Sequence, residues 1–277
     1  MKTRTKIILA TFLLITLIIS GLYVDATNFS SNRLRITYKT LTSSEIPDSF
    51  NDVSIALISD IQYGTFMDKT RLESFLKKLV NIQPDIVLFS GDLFDKDAEV
   101  TEEYINELEM LLSSIQAPLG KFAVIGNNDK KYEEVYKQIM FNSNFELIDG
   151  NIIKLANRST NYINLIGLHA TSGQNNMEEL FTEILPESYT IALCHTPDIA
   201  QELPRNQVDI LLTGHSHSSQ INFPLIGINE SETTKYRAGQ HITDSTTIYV
   251  SHGLGTSEKD IRLFSDPEII VFRFQTK

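Results

Sequence analysis

From about residue 53 to the C-terminus, short apolar runs alternate with stretches whose apolar residues recur at helical spacing. The short runs predict strands at residues 53–59, 86–90, 121–125, 151–155, 162–168, 189–193, 208–212, 247–250 and 269–274. The helical spacing predicts helices at residues 69–81, 101–115 and about 131–141, with a shorter helix near residues 177–184. Strands that alternate with helices are typical of the α/β class, which is the fold class that we predict.

The N-terminus has a different pattern. Residues 7–24 are mostly apolar, contain no charged side chain, and follow Lys2, Arg4 and Lys6. A segment of this length after a basic flank can span a bilayer and leave the rest of the chain outside the cytoplasm. A signal peptide cleaved near Ala26 is the alternative, but the apolar core of a signal peptide is usually only ~7 to 15 residues long. We therefore predict a single-pass anchor in the cell membrane. A buried helix of a soluble protein is the least favoured interpretation.

The rest of the chain is interpreted as a single domain that follows a short linker. Residues 26–50 are polar, and only residues 34–41 alternate in the way of a strand. We predict an anchor at residues 1–25, a linker with an edge strand at residues 26–50, and a single domain at residues 51–277. A chain of 277 residues is long enough for such a domain to bury a substantial core.

The charge balance restricts the choice of partners. Without Lys2, Arg4, Lys6 and Asp25, the totals of 35 acidic and 24 basic residues leave 34 acids and 21 bases in residues 26–277, a net charge of −13. A domain of this charge repels nucleic acid, so no nucleic-acid partner is expected and a nuclease is disfavoured. The single cysteine, Cys194, excludes an intrachain disulfide but is compatible with either side of a membrane.

Side chains that can bind metal ions follow five of the predicted strands. They are Asp60, Gln62, Asp92, Asn127, His195, His215 and His217. Each of them alone is more typical of a turn or a cap, but loops at the ends of parallel strands are where α/β folds collect chemistry. The set as a whole therefore predicts a functional site.

The sequence Gly214-His215-Ser216-His217 is the most informative of these loops. In extended backbone, His215 and His217 point to the same side, so both rings can converge on one place. Two adjacent imidazoles are difficult to bury in a core, and neutral imidazole is the commonest nitrogen ligand of metals. The pair therefore favours metal binding.

The ordered motifs resemble those of the calcineurin-like metallophosphoesterase superfamily. Its signature of Asp-x-His, Gly-Asp, Gly-Asn-His-Asp, a single His and Gly-His-x-His is similar to the segments at residues 60–62, 91–92, 126–129, 195 and 214–217. Residues 249–257, with the segments at 261–262 and 267–269, resemble the membrane-associated or exported bacterial branch that is often called YkuE-like. The resemblance covers the chain from about residue 50 and implies a β-sandwich of two mixed sheets flanked by helices, with a two-metal centre at the strand ends.

The resemblance also implies a ligand set for each metal ion. One ion would be held by Asp60, Gln62, Asp92 and His217, and the other by Asp92, Asn127, His195 and His215. Asp92 would bridge the two ions, which together polarise a phosphoryl group and activate a water as the attacking hydroxide. Mixed nitrogen and oxygen ligands suit Mn, Fe or Zn better than Ca, and they leave the choice among the three open.

Two positions depart from the family signature. Gln62 stands where the family has a metal-binding histidine, so we expect weaker binding of the first ion. Asn128 stands where the family has the histidine that contacts the substrate, and an amide cannot act as a general acid, a role that usually contributes ~10² to 10⁴ in rate. Asn128 and Asp129 thus occupy the positions that the motif makes catalytic.

Three further histidines are candidates to replace the missing acid: His169 at a strand end, His241 in a polar loop, and His252. A hydrogen-bonded or surface role is the more common one for each of them. His252 is the strongest candidate for binding substrate, because the glycines around it allow an anionic ligand to approach the backbone.

The functional expectation is a membrane-anchored hydrolase that cleaves a phosphodiester, pyrophosphate or phosphomonoester outside the cytoplasmic membrane. The anchor suggests a lipid-linked or envelope phosphate as the substrate. The alternative is a degenerate relative that keeps the fold but acts as a binding or scaffold protein, and Gln62 and Asn128 are its motivation. The enzyme is favoured because the other ligand positions are retained. The sequence leaves the natural substrate and the oligomeric state open.

Overall fold

The computed structural model describes residues 3–171, 173–185, 187–216, 220–222, 235–243 and 245–277. The helices within these ranges are α1 (Thr3–Asn28), α2 (Lys69–Ile82), α3 (Glu102–Ser113), α4 (Glu133–Asn142) and α5 (Met177–Thr182). The strands are β1 (Arg35–Ser43), β2 (Ser54–Ile58), β3 (Ile86–Phe89), β4 (Lys121–Ala123), β5 (Glu146–Leu147), β6 (Ile152–Ala156), β7 (Tyr162–Leu168), β8 (Thr190–Cys194), β9 (Ile210–Thr213), β10 (Gly239–Ile242), β11 (Thr247–Val250) and β12 (Glu268–Thr276).

Two mixed sheets form the centre of the domain. In the described part of the chain, the first sheet has the order β1-β12-β2-β3-β4-β5 and the second has the order β10-β11-β9-β8-β7-β6. The strands β2, β3 and β4 run parallel to one another, as do β7, β8, β9 and β11. The carboxyl ends of the parallel strands therefore lie at one edge of each sheet, which is where loops can meet to form a site.

Among the described residues, three apolar clusters hold the layers together. The cluster between the sheets joins residues such as Leu57 and Leu88 of the first sheet to Leu193 and Leu212 of the second. A second cluster lies between the first sheet and α2, α3 and α4, and a third lies between the second sheet and α5. The strands that contribute to two clusters, such as β2 and β8, are buried at every residue. This explains why their sequences are continuous apolar runs instead of alternating ones.

Local sequence signals determine where the helices begin. The side chain of Asp68 accepts a hydrogen bond from Arg71 N at 2.8 Å and caps α2. The side chain of Thr101 accepts one from Tyr104 N at 3.3 Å and caps α3, as its position in the sequence predicted. The predicted helix at 131–141 begins as a 3-10 turn at Asp129–Tyr132 and becomes α-helical at Glu133.

The N-terminal helix α1 extends away from the domain. Its apolar 18-residue window has no buried residue, and Ala26 is the buried residue of the helix. The helix is long and apolar enough to cross a membrane. By length and composition the helix can be a membrane anchor or a signal sequence, because both satisfy the same criteria.

The predicted fold class is confirmed, since two mixed sheets flanked by helices are present together with the apolar N-terminal helix. Strands β7 and β11 have the predicted bounds. Strands β5 and β10 were not predicted, and His241, expected in a loop, pairs with Ile248 as part of β10. The sequence of β10 carries no apolar signal, because this edge strand is only partly buried.

Candidate metal centre

Loops from both sheets converge on one place at the carboxyl ends of the parallel strands. Strand β2 leads to Asp60, β3 leads to Asp92 and β8 leads to His195, and all three side chains are buried. One ligand atom of each lies within 4.8 Å of the other two. Burying two carboxylates and an imidazole away from water costs free energy, and a bound cation would offset this cost.

His195 is held in one orientation. Its Nδ1 lies 2.8 Å from the carbonyl oxygen of Ser90, and since a carbonyl only accepts, Nδ1 is the donor. Nε2 then points toward Asn127 Oδ1 at 2.8 Å, His215 Nδ1 at 3.1 Å and Asp92 Oδ1 at 3.4 Å. A ring nitrogen that donates to a backbone carbonyl leaves the other nitrogen oriented for a metal ion.

The atoms that face His195 Nε2 fit a divalent cation. A carboxylate oxygen, an amide oxygen and a second imidazole nitrogen all offer electron pairs. Mixed oxygen and nitrogen donors of this kind suit Mn, Fe or Zn. Burial lowers the pKa of His195, but the carboxylates of Asp92 and Asp60 outweigh it and raise the pKa to about 9. The negative potential responsible for this shift also attracts a metal ion.

The two amides that depart from the family signature contact the other oxygen of Asp92. Gln62 Nε2 donates to Asp92 Oδ2 at 2.8 Å, and Asn128 Nδ2 donates to the same oxygen at 3.0 Å. Asn128 Nδ2 also donates to Gln62 Oε1 at 3.0 Å. Gln62 and Asn128 therefore form one hydrogen-bonded unit with Asp92.

Asp129 is fully buried and accepts only backbone hydrogen bonds in the described network. Its Oδ2 accepts from Asp92 N at 2.8 Å and Gly126 N at 2.9 Å, and its Oδ1 accepts from Leu93 N at 2.8 Å and Phe94 N at 3.3 Å. These contacts join the loop after β3 to the loop after β4. Asp129, which was predicted to be catalytic, thus fixes the backbone of Asp92 in the structure.

His215 also belongs to this group, whereas His217 lies outside the described residues. The backbone N–H of His215 lies 3.1 Å from both carboxylate oxygens of Asp60. The expectation that His215 and His217 serve different metal ions therefore stays a prediction.

The backbone at the site is strained in a way that the sequence did not reveal. Asp60, Gln62, Asp92 and His215 have φ values of 49°, 51°, 58° and 66°. Positive φ values are uncommon for residues other than glycine and concentrate at functional sites. Four of the predicted site residues therefore have a backbone conformation that only the surrounding structure can maintain.

Two serines at the site were missed in the sequence. The hydroxyl of Ser59 donates to Asp60 Oδ2, and the hydroxyl of Ser90 donates to Ser59 at 2.7 Å. Both follow the last residue of a buried strand, and a small polar residue at this position is the signal that could have identified them. Gly126 and Gly214 are required here, because a Cβ atom on either would overlap Asp92 or Asp60.

The predicted substrate-binding residue His252 lies in the 251–267 loop, which connects β11 to β12. Its ring is buried, and Nδ1 lies 3.1 Å from the hydroxyl of Ser265. Burial and the charges of Arg35 and Arg262 lower the pKa of His252 to about 3, so the ring is neutral at physiological pH. Contact with a substrate stays a prediction, and it would involve a neutral imidazole.

Arg262 holds the 251–267 loop against the site. Its guanidinium is fully buried and donates to the carbonyl oxygens of His252, Gly253, Gly255 and Ser265 at 2.5 to 3.3 Å. The N–H of Gly255 in turn donates to the carbonyl of Asp60 at 2.7 Å. The role of Arg262 was not predicted, since a buried arginine in a loop has no distinctive sequence pattern.

A cavity of about 480 Å³ adjoins the loop after β4. It is lined by Ile125, Lys130, Glu133, Asp149, His169, Ala170 and Gln174. The carbonyl of Ala170 accepts a hydrogen bond from Thr196, the residue after His195, at 2.7 Å. His169 therefore lines a cavity beside the candidate centre instead of taking part in the network around Asp92 that the described residues form.

Comparison with known proteins is consistent with this arrangement. The family described as calcineurin-like phosphoesterase matches residues 53–219. The uncharacterized metallophosphoesterase YkuE of Bacillus subtilis is 28% identical over 261 residues, which cover 92% of this chain and 91% of that protein. The UDP-2,3-diacylglucosamine pyrophosphatase LpxG of Chlamydia trachomatis is 25% identical over 307 residues, which cover 91% and 92% of the two chains.

Among solved structures, a dimetal phosphatase from Danio rerio is similar with a TM-score of 0.41 and 10% identity, over 74% of this chain and 88% of that chain. The family match includes every strand that leads to the candidate centre. The predicted superfamily is therefore confirmed: the chain belongs to the calcineurin-like phosphoesterase family.

Proposed function

We propose that this protein is a membrane-associated hydrolase that cleaves a phosphodiester or pyrophosphate bond outside the cytoplasmic membrane, with metal ions held by Asp60, Asp92, Asn127, His195 and His215. The observation that carries the proposal is the convergence of electron-pair donors around His195 Nε2, where Asn127, His215 and Asp92 lie at 2.8, 3.1 and 3.4 Å. A purely structural core has no need for such a set.

Bound divalent ions would polarise a phosphoryl group and lower the pKa of a water. The residues of the chain would hold and orient these ions. Asp92 is held by the backbone N–H of Asn128 at 2.9 Å, and His195 is held by Ser90. Asn128 Nδ2 can donate a hydrogen bond to a phosphoryl oxygen, but it has no proton to transfer to a leaving group. The protein should therefore cleave substrates with good leaving groups most efficiently.

The substrate class is supported by two observations. LpxG, which aligns over nearly the whole chain, is a pyrophosphatase of UDP-2,3-diacylglucosamine. The present chain also begins with an apolar helix that is long enough to cross a membrane. Together they favour an amphiphilic phosphodiester or pyrophosphate. The cavity that contains Lys130 and His169 is large enough for part of the leaving group.

Hydrolysis of bis(4-nitrophenyl) phosphate with Mn, Fe, Zn or Mg tests this function. The wild-type protein should release 4-nitrophenol in the presence of at least one of these metals, whereas Asp92→Ala should release it at the background rate because both predicted ion sites use Asp92. Asp97→Asn is the matched control, since Asp97 is an exposed carboxylate in the same loop. Activity that is equal in wild type and Asp92→Ala would contradict the proposal.

A scaffold protein is the second candidate, and the hydrogen bonds of Gln62 and Asn128 to Asp92 favour it. The double substitution of Gln62→His and Asn128→His distinguishes the two functions. An enzyme with a weakened site should gain activity, most strongly with poor leaving groups. A scaffold should show no hydrolysis before or after the substitutions.

A further inference from the structure

The end of the membrane helix and the 251–267 loop run side by side. The carbonyl of Ala26 accepts a hydrogen bond from Arg262 N at 3.1 Å, and Arg35 N donates to the carbonyl of Pro267 at 2.8 Å. Between these points, Ser30 Oγ donates to Asp266 Oδ1 at 2.9 Å. The segment from Ala26 to Arg35 is therefore hydrogen-bonded to the loop at both of its ends and at Ser30 between them.

The same loop contacts the candidate metal centre. The side chain of Arg262 binds the carbonyl oxygens of residues 252, 253 and 255, and the N–H of Leu254 donates to the carbonyl oxygens of Ser59 and Asp60 at 2.9 and 3.2 Å. Hydrogen bonds thus lead from Ala26, through buried Arg262, to Asp60. The end of the helix is therefore connected to the candidate centre by a series of hydrogen bonds through the loop.

Aromatic side chains are exposed where the helix ends. Tyr23, Phe29 and Phe264 have 67%, 60% and 49% of their surface exposed, and we refer to these three residues as the aromatic face. Tyr23 lies at the end of the apolar segment, Phe29 directly follows α1, and Phe264 lies in the loop that runs beside it. Single exposed apolar residues are common, but aromatic residues next to a membrane helix are typical of the membrane–water interface.

Near the aromatic face two arginines pair with three carboxylates, so this region is less acidic than the domain as a whole. Arg33 Nη2 lies 2.6 Å from Asp25 Oδ1, and Arg33 Nε lies 3.9 Å from Asp266 Oδ1. Arg35 pairs with Glu268 at 3.0 Å. This face can therefore approach phospholipid headgroups with less repulsion than the net charge of the chain would cause.

We propose that the aromatic face rests in the headgroup layer of the bilayer that α1 crosses, so that the metal centre acts on phosphate groups of amphiphiles in that leaflet. The position of the face follows from α1: its apolar 18-residue window spans about 27 Å at ~1.5 Å per residue, close to the hydrocarbon thickness. The choice of substrate rests on the proposed phosphoesterase function, whereas the position of the face does not.

Tryptophan fluorescence tests the position directly, because the sequence contains no tryptophan. Phe264→Trp would be introduced into the full-length protein, which is then placed in phosphatidylcholine/phosphatidylglycerol vesicles whose lipids are brominated at known depths. Phe141→Trp is the matched control, since Phe141 is 80% exposed on α4, which packs beside β5 at the edge of the first sheet opposite to β1. Phe264→Trp should show blue-shifted emission that shallow bromines quench, and Phe141→Trp should show neither effect. Equal emission and quenching in the two variants would overturn the proposal.

The functional consequence is tested with two substrates that share a leaving group. One is soluble bis(4-nitrophenyl) phosphate, and the other is the 4-nitrophenyl phosphodiester of dioleoylglycerol in vesicles. Phe264→Glu should lower kcat/KM for the lipid on the order of tenfold and leave hydrolysis of the soluble ester unchanged. Equal loss on both substrates would overturn the preference for amphiphiles, whereas the absence of all hydrolysis in the wild type would refute the phosphoesterase function and leave the quenching result intact.

Discussion

Asp92 illustrates at the scale of a single residue how this chain differs from its family signature. One carboxylate oxygen faces His195 at 3.4 Å, and the other accepts hydrogen bonds from the amides of Gln62 and Asn128. A cation beside Gln62 would have to replace two amide hydrogens on that oxygen and turn the Gln62 oxygen toward the metal. The oxygen that faces His195 accepts a backbone hydrogen bond from Asn128 N at 2.9 Å, which leaves it a further lone pair for an ion held with His195 and His215.

We therefore predict unequal metal binding. After dialysis against a weak chelator, the wild-type protein should retain about one metal ion per chain, and Gln62→His combined with Asn128→His should retain about two, because imidazole replaces the competing amide donors. Elemental analysis of the dialysed proteins measures this ratio. Asn175→His is a control for an added imidazole outside the site, and two tightly held ions in the wild type would contradict the prediction.

Cys194 gives a second prediction at the same scale. The thiol is fully buried, and burial raises its pKa to about 12. The reactive thiolate is therefore scarce at neutral pH, although Cys194 directly precedes His195. We expect no reaction with Ellman's reagent in the native protein and one thiol per chain after unfolding in guanidinium chloride. Rapid labelling of the native protein would show that β8 opens.

The sequence predicted which residues form the site better than it predicted the contacts among them. Asp60, Asp92, His195 and His215 were found because buried strands end directly before them and because the family signature orders them. The positive φ values of Asp60 and Asp92, and the bond between Gln62 and Asn128, could not be predicted, since they arise when loops from distant parts of the chain meet. The role of Arg262 depends on the same kind of contact.

At the scale of an element, the 251–267 loop leads to a prediction about Arg262. The planar guanidinium contacts four carbonyl oxygens, which one ammonium group cannot reproduce. Arg262→Lys should weaken metal binding about 10- to 100-fold, the usual effect of residues that orient a ligand. Isothermal titration with Mn measures the affinity. The exposed Arg33→Lys is the control, and circular dichroism separates weakened binding from unfolding. Unchanged affinity in a folded Arg262→Lys protein would contradict this role.

Lys121 provides a prediction for the contact between α3 and β4. Its Nζ is buried and donates to the carbonyls of Leu112 and Ile115 at 3.2 and 3.0 Å, and burial lowers its pKa to about 8. The unfolded chain keeps the ordinary lysine pKa of ~10.4, so it binds more protons than the native protein between these values. The contribution of Lys121 to stability is therefore lowest below pH 8 and increases as the pH rises to about 10.

The measurement is the free energy of unfolding in urea at several pH values. The wild type should gain on the order of 1–3 kcal/mol relative to Lys121→Met between pH 8 and 10. The difference between the two proteins is the informative quantity, because burial raises the pKa of tyrosines such as Tyr189 and these groups act in the opposite direction above pH 10. A difference that does not vary with pH would show that the lysine titrates normally.

Helices and strands were predicted well where their burial leaves a pattern of apolar residues in the local sequence. Strands β7 and β11 and the helix α2 follow directly from apolar runs and helical spacing. Strand β5 has only two residues, and β10 is a polar edge strand, so neither leaves a pattern. The position of β12, parallel to β1 and antiparallel to β2, is a property of the sheet and cannot be deduced from the strand alone.

At the scale of the whole molecule, α1 and the domain depend on each other very little for stability. The apolar 18-residue window of α1 has no buried residue. Ala26, near the C-terminal end of the helix, is the residue of α1 that is buried. By contrast, β1 pairs with β12 along nine residues from Arg35 to Ser43, and Phe50 is fully buried. The boundary of the folding unit should therefore lie near residue 29, ahead of the boundary at residue 51 that the sequence suggested.

Two truncated chains test this boundary. Residues 29–277 lose the hydrogen bond between Ala26 and Arg262 and the exposed pair of Asp25 with Arg33, so the free energy of unfolding should fall by only ~1 kcal/mol. Residues 51–277 leave the edge of β12 unpaired and remove Phe50 from the core, so this chain should aggregate or bind the dye ANS. Urea unfolding and size-exclusion chromatography compare both with the full chain in detergent. A soluble, cooperatively unfolding 51–277 chain would instead place β1 in the linker.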